Sequence, residues 1–378
     1  MQRRRGWLTA VLLIILFVRS THAGTQAPAL QVDAKAALLL DADSGQVLFD
    51  QNATVRIVPA SLTKLMTVYV AYDALRGGAV RLDEQVSVSQ QASKMGGSQV
   101  FLQTGDRVSF EKILQGVAIV SGNDATIALA EHIAGFPTAF VARMNAKASA
   151  LGLSDTQFQN SHGLPAENQY STARDMARLA LYLIQDHPAV LQLHSMKHFE
   201  YNGIRQQNRN HLLGKDPRVD GLKTGWLEEA GYHIVLTGKE GERRLIAVVL
   251  GARNERSRHE IALRLFNYGF KNLHNVHFFR PGDRVKNLPV WKGAEDLLAI
   301  SAKRPGIVTV RNGAPEPTLA YQLPEKLIAP ISEGQKVGEA VITAEGQEIA
   351  RVDLVAMNAV PRGGWMTWIL HSFLLLFN

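Results

Sequence analysis

Ser61-Leu-Thr-Lys64, Ser121-Gly-Asn123 and Lys223-Thr-Gly225 follow one another at intervals of about sixty and about one hundred residues in a chain of 378. If the three act together, the fold has to bring distant segments to one place. Each alone is weak: S-x-x-K is expected roughly once by chance in a chain of this size, and Ser109-Phe-Glu-Lys112 is a second instance. The ordered triple is far more specific.

The residue types make chemical sense. A serine hydroxyl is a poor nucleophile until a neighbouring base takes its proton. Ser61 and Lys64, three apart, share one face of a helix. Pro59-Ala60 precedes them, and the apolar spacing of Leu62, Leu65, Met66, Tyr69 and Tyr72 predicts a helix that starts near Ser61. Unpaired backbone N–H groups and the positive end of the helix dipole would then lie beside a carbonyl under attack. Ser109 has no such setting: after Gly105-Asp106 it reads as a helix start or cap. Lys64 can act as a base only when neutral, and a second cation such as Lys223, together with burial, would favour that form. Lys223 can also anchor an anionic group. A plain turn remains an alternative for Lys223-Thr-Gly225, although the strand-turn-strand pattern from Tyr232 to Leu250 places it on a sheet edge that could wall a cleft.

With these motifs in place the chain resembles the low-molecular-mass penicillin-binding proteins, and among them the D-alanyl-D-alanine carboxypeptidases. The likeness runs from about Ala36 to Asn272 and more loosely beyond. It includes Val58-Pro-Ala-Ser-Leu-Thr-Lys-Leu-Met-Thr67, Ser121-Gly-Asn-Asp-Ala125, Ser161-His-Gly-Leu164, Gln169-Tyr-Ser-Thr-Ala-Arg-Asp-Met176, Asn208-Arg-Asn210, Val219-Asp-Gly-Leu-Lys-Thr-Gly225 and Ala230-Gly-Tyr232. The resemblance implies a hydrolase that removes the terminal D-alanine from peptidoglycan stem peptides, is acylated by β-lactams and needs no cofactor or metal. By position it implies Ser61 as nucleophile, Lys64 as base, and Ser121 as proton relay to the leaving amine. Asn123 and Lys223 would meet the substrate, Thr224 and Arg258 would hold its terminal carboxylate, and the backbone N–H groups of Ser61 and Trp226 would form the oxyanion hole. Arginine suits that carboxylate because its planar fork offers two parallel bonds. A solvated cation at a helix start is the alternative for Arg258, since Arg253 and Arg256 lie close by. Leu227 departs from the family, which usually carries Thr or Ser there, so a catalytically weak penicillin-binding scaffold is the competing function. A class A-like β-lactamase is a third reading, but Glu167 lacks that family's local pattern and reads as a surface carboxylate. His162 is expected to shape its loop by hydrogen bonding.

Composition points to export. Arg3 to Arg5, the apolar stretch Trp7 to Val18 and Thr21-His-Ala23 form a signal-peptide pattern over residues 1–23. Its four arginines account for four units of the chain's formal net charge of +7, so the basic character says little about nucleic acid. With no cysteine, disulfides and metal thiolates are excluded. The expected location is the periplasmic face of the inner membrane.

The remaining chain predicts an α+β catalytic domain over 24–275, an antiparallel sheet with helices. Strands are expected at Ala37 to Leu40 and Gln46 to Phe49, with helices from Ser61 to about Arg76, from Ser109 to Ala134 and up to Asn272. Glycine- and proline-punctuated runs predict a small all-β domain over 276–360, including a hairpin around Glu345-Gly346. Residues 361–378 are expected to form a hinge followed by an amphipathic membrane anchor: Trp365 to Phe377 is apolar but too short to span, and Thr367 and His371 form a narrow polar stripe. A helix docked on the β domain is the alternative.

Overall fold

The structure is a computed structural model and describes residues 30–374. The signal peptide expected over residues 1–23 lies outside them.

The first strands are β1 (Ala36–Asp41) and β2 (Val47–Gln51), joined through the turn at Asp41. Further along come β3 (Val219–Leu227), β4 (Gly231–Glu240) and β5 (Arg243–Ala252). Together they make one antiparallel sheet in the order β2-β1-β5-β4-β3, with β3 at an edge. Strand β1 is buried along its whole length, because both faces of the sheet are covered. Ala36, Leu38 and Leu40 join the large core beneath the helices, whereas Leu39 meets the bare backbone at Gly269 on the other side. Its unbroken apolar run thus has a physical cause: a strand covered on both faces cannot alternate with polar residues.

Four helices matter for the cleft: α1 (Lys64–Arg76), α2 (Phe110–Gln115), α3 (Asn123–Ala134) and α4 (Ala173–Asp186). A fifth, α5 (Glu255–Asn272), packs on β4 and β5. The single helix expected from Ser109 to Ala134 is in fact two. After α2 the chain widens into one π-type turn over Gly116–Val120, and Ser121 then takes a left-handed conformation with φ of 67°. Gly116 and Gly122 flank that break, which lifts Ser121 out of a continuous helix and starts α3 at Asn123. Ser109 is the cap of α2, its hydroxyl accepting from the Lys112 N–H at 3.3 Å.

Between α5 and residue 361 the chain is all β. The six-stranded sheet there includes the hairpin of β6 (Lys336–Ala344) and β7 (Gln347–Ala356), turned at Glu345-Gly346, both at positive φ. This region is tied to the first sheet by a polar joint. The buried Asp41 carboxylate receives Arg243 Nε at 2.7 Å and Asn275 Nδ2 at 3.2 Å, and Ser44 Oγ lies 2.7 Å from Thr309 Oγ1.

The last described helix is α6 (Trp365–Leu374). Its polar stripe faces inward: His371 Nδ1 accepts from the Lys292 N–H at 2.7 Å, with the ring edge-on to Trp291. The segment expected to hinge is tied down, since Gly363 N–H donates to Lys292 O at 2.9 Å and the Ala294 N–H to Pro361 O at 2.9 Å. The apolar face, led by Trp365 at 74% exposure, points to solvent. Among the described residues no single helix is long and apolar enough to cross a membrane.

Candidate active site

Ser61 lies in a single 3-10 turn, Ala60–Thr63, that runs straight into α1. Ala60 enters it at φ of 50°, so the chain bends sharply just before the serine. Two glycines allow other segments to press against this bend. A Cβ on Gly163 would stand 1.9 Å from Ala60 O, and one on Gly225 would stand 3.2 Å from Ser61 N. The glycine of Lys223-Thr-Gly225 is therefore there for close backbone approach between β3 and the serine turn.

Lys64 is fully buried at 0% exposure. Its Nζ is 3.2 Å from Ser61 Oγ and donates to Asn123 Oδ1 at 2.7 Å and His162 O at 2.5 Å. All its hydrogen-bond partners here are uncharged. Burial and then the nearby Lys223 charge hold its pKa well below the ordinary lysine value, against some opposition from Asp124. Asn123 is 3% exposed, and its amide is engaged at both ends, Oδ1 by Lys64 and Nδ2 donating to Gly96 O at 2.8 Å. Asn123, expected from the sequence to meet the substrate, thus also holds Lys64.

Ser121 Oγ is buried without a partner, free to exchange a proton. Lys223 is 2% exposed and donates to Thr224 O at 3.0 Å; burial, then Arg209 and Arg258, lower it to about 7. Asp124, next to Asn123, carries no sequence-based role, yet its buried carboxylate accepts from the backbone N–H groups of Val100, Phe101, Leu102 and Ala125. It fixes the loop that brings Ser98 to the cleft.

These segments enclose a cleft of about 310 Å³ whose lining includes Ser61, Ser121, Thr224, Trp226, Arg209 and Arg258. Trp226 is 53% exposed and packs beside Tyr232 at a ring separation of 5.8 Å. Leu227 does not line it. Arg258 is no solvated cation: at 4% exposure it stacks near Tyr232, and burial brings its pKa down to about 10. Arg209 is a lining cation to which sequence reasoning gave no role, though Asn208-Arg-Asn210 was a recognised stretch; its Nε reaches Val120 O at 3.4 Å. His162 accepts the Leu164 N–H on Nδ1 at 3.2 Å, and burial, then Lys64, hold it near 4, so the neutral ring shapes its loop. Glu167 is exposed on the same loop.

A buried lysine beside a serine, a second serine, and buried cations along one wall define the class of active-site serine acyl-transfer enzymes. Residues 21–254 match the family described as D-alanyl-D-alanine carboxypeptidase, and residues 274–362 match the C-terminal domain of penicillin-binding protein 5. The chain belongs to the D-alanyl-D-alanine carboxypeptidase family of serine peptidases. It is 39% identical to D-alanyl-D-alanine carboxypeptidase DacC of Escherichia coli, over 99% of this chain and 96% of that one. Penicillin binding protein 5 from Haemophilus influenzae superposes with a TM-score of 0.85 at 36% identity, covering 89% of this chain and all (100%) of that one. Penicillin-binding protein D2 from Listeria monocytogenes, solved in its ampicillin-bound form, gives 0.60 at 30% identity, covering 65% of this chain and 100% of that one.

Proposed function

We propose that this protein removes the terminal D-alanine from peptidoglycan stem peptides through an acyl-enzyme on Ser61. The observation that carries the reading is the buried Lys64 amine, 3.2 Å from Ser61 Oγ, with its pKa held low by burial. Neutral Lys64 takes the Ser61 proton as Oγ attacks the carbonyl carbon of the penultimate D-alanine. The oxygen that gains charge is met by the backbone N–H groups of Ser61 and Trp226, on the two segments that Gly225 allows to touch. The C–N bond then breaks, the proton held on Lys64 passes through Ser121 to the leaving amine, and free D-alanine departs. Water hydrolyses the ester and restores Ser61. Thr224 and Arg258 hold the terminal carboxylate, while Lys223 in its protonated form supplies positive charge and Asn123 orients Lys64 as well as meeting the substrate.

A β-lactam presents its carbonyl to the same oxygen and should acylate the same serine. After penicillin treatment, peptide mapping by mass should find the adduct on Ser61. An adduct on Ser109 instead, or none on folded protein, would sink the assignment.

We further infer that the protein is exported by the leader over residues 1–23 and is held at a membrane surface by 361–378, following domains over 24–275 and 276–360. The support is the inward-turned polar stripe of α6, which leaves Trp365, Trp368, Ile369 and Leu370 facing out. Cutting the chain after Val360 should release it from membranes with peptidase activity intact; equal partitioning of both forms would return α6 to a merely docked helix.

A further inference from the structure

The carboxylate end of the cleft holds a group that the reaction does not require. Glu255 opens α5 and is half exposed, as is His211, which comes from the loop before β3; both line the cleft with Arg258. One carboxylate oxygen of Glu255 lies 2.7 Å from His211 Nδ1 and 3.4 Å from the NH2 nitrogen of Arg258. It is shared, close to the histidine and long to the arginine.

The guanidinium of Arg258 is meanwhile under-supplied. Its Nε is buried with no partner, its NH1 nitrogen reaches His233 O only at 3.5 Å, and its NH2 nitrogen donates to His259 Nε2 at 3.0 Å. Burial, then the Arg258 charge, keep His259 near 3, so it stays a neutral acceptor. With only a long contact at NH1 and a shared NH2, the guanidinium keeps donor capacity for an incoming carboxylate where it lines the cleft.

We propose that Glu255 is an internal competitor for Arg258, a positioning residue that sets how tightly carboxylate-ended ligands bind, with His211 holding it back. The inference rests on the reading that Arg258 takes the substrate's terminal carboxylate. An arriving carboxylate has to displace Glu255 from the NH2 nitrogen and enter against its negative charge. Glu255 lies at the carboxylate end rather than at Ser61 or Lys64, so its effect falls on binding and leaves the acyl-transfer steps alone. Removing His211 frees the carboxylate to settle on Arg258 and deepens the competition.

The test uses the full chain and two substrates, an acyl-D-Ala-D-Ala peptide and an acyl-D-alanyl thioester whose leaving group has no carboxylate. Glu255→Gln should lower KM for the peptide about three- to fivefold, the worth of a half-exposed ion pair, with kcat within about twofold. His211→Ala should raise that KM by a similar factor, and should do nothing in the Glu255→Gln background. The thioester should be indifferent to all three changes. A peptide KM that is unchanged or raised in Glu255→Gln would overturn the proposal, as would an equal shift with the thioester. A first-turn acid acting only on the helix dipole would instead change the melting temperature and leave KM alone. The underlying reading fails separately: if Arg258→Lys leaves the wild-type preference for the peptide over the thioester intact, Arg258 is not the anchor, whatever Glu255 does.

Discussion

Two of the charge clusters in this molecule are built on opposite terms. In the cleft, Lys64, Lys223 and Arg258 are nearly or fully buried, and among the described residues the one carboxylate paired with any of them, Glu255, reaches Arg258 at 3.4 Å; all three have lowered pKa values, with burial the leading cause. On the β6–β7 hairpin, Lys336 meets Glu339 and Asp353 at 2.6 Å each, and Arg351 meets Glu339 and, at 2.8 Å, Glu348. There the partners push Lys336 and Arg351 up and Glu339 and Glu348 down, direct hydrogen bonds being the largest cause. Exposed and paired charges keep their ordinary states and serve solubility and strand register. Buried charges without matching carboxylates are shifted toward their neutral forms, which is what a base such as Lys64 requires and what stability alone would not select.

The sharpest way to break this contrast is Lys64→Met, which keeps the side-chain length and removes the amine. Acylation by a β-lactam should fall by about 10²–10⁴, the usual worth of a general base. The melting temperature should change little, because relief of the amine's desolvation offsets the acceptors left unpaired on Asn123 and His162. Near-normal acylation would mean another base; a large loss of stability would mean that Lys64 is structural, like the hairpin charges.

Lys223→Gln removes the second buried cation and should cost roughly 10- to 100-fold in acylation, the scale of one hydrogen bond to a charged group. Its pH signature is more telling. The Lys223 charge is one cause of the lowered Lys64 pKa, so without it that pKa rises and the acid limb of the acylation rate moves to higher pH. Stability should respond as well. With a folded pKa of about 7 against an ordinary 10.5, Lys223 leaves the unfolded chain binding more protons between those values, so this group makes the wild type more stable as pH rises through that window. The variant should lack that gain. An acid limb that stays in place would show that burial alone tunes Lys64.

Much of the site was legible in the sequence because its chemistry is carried by short motifs with fixed spacing, and the sheet followed from strand-turn-strand patterns around them. What was not legible is instructive. The break at Ser121 depends on one left-handed residue and a widened turn, features with no periodicity to read. The hold of Asn123 on Lys64 could not be read because it joins segments 59 residues apart. The Glu255–His211 pair lies outside any motif, and Arg209 sat in a recognised stretch with nothing to say which way it points. For the tail, composition revealed the polar stripe, but only the contact between His371 and Lys292 shows that the stripe faces the protein.

The smallest effect is expected where the contrast predicts none. Arg351→Gln breaks contacts to both Glu339 and Glu348 at once, yet every member of that network lies at the surface, where ordering long side chains and screening by salt offset the attraction. The melting temperature should move by less than about 2 °C, and less still in high salt. Acylation of Ser61 should stay within about twofold, because neither residue of the pair touches the cleft or the joint at Asp41. A marked loss of acylation with the fold intact would mean that the hairpin communicates with the active site, and the division between structural and chemical charges would have to be redrawn around that path.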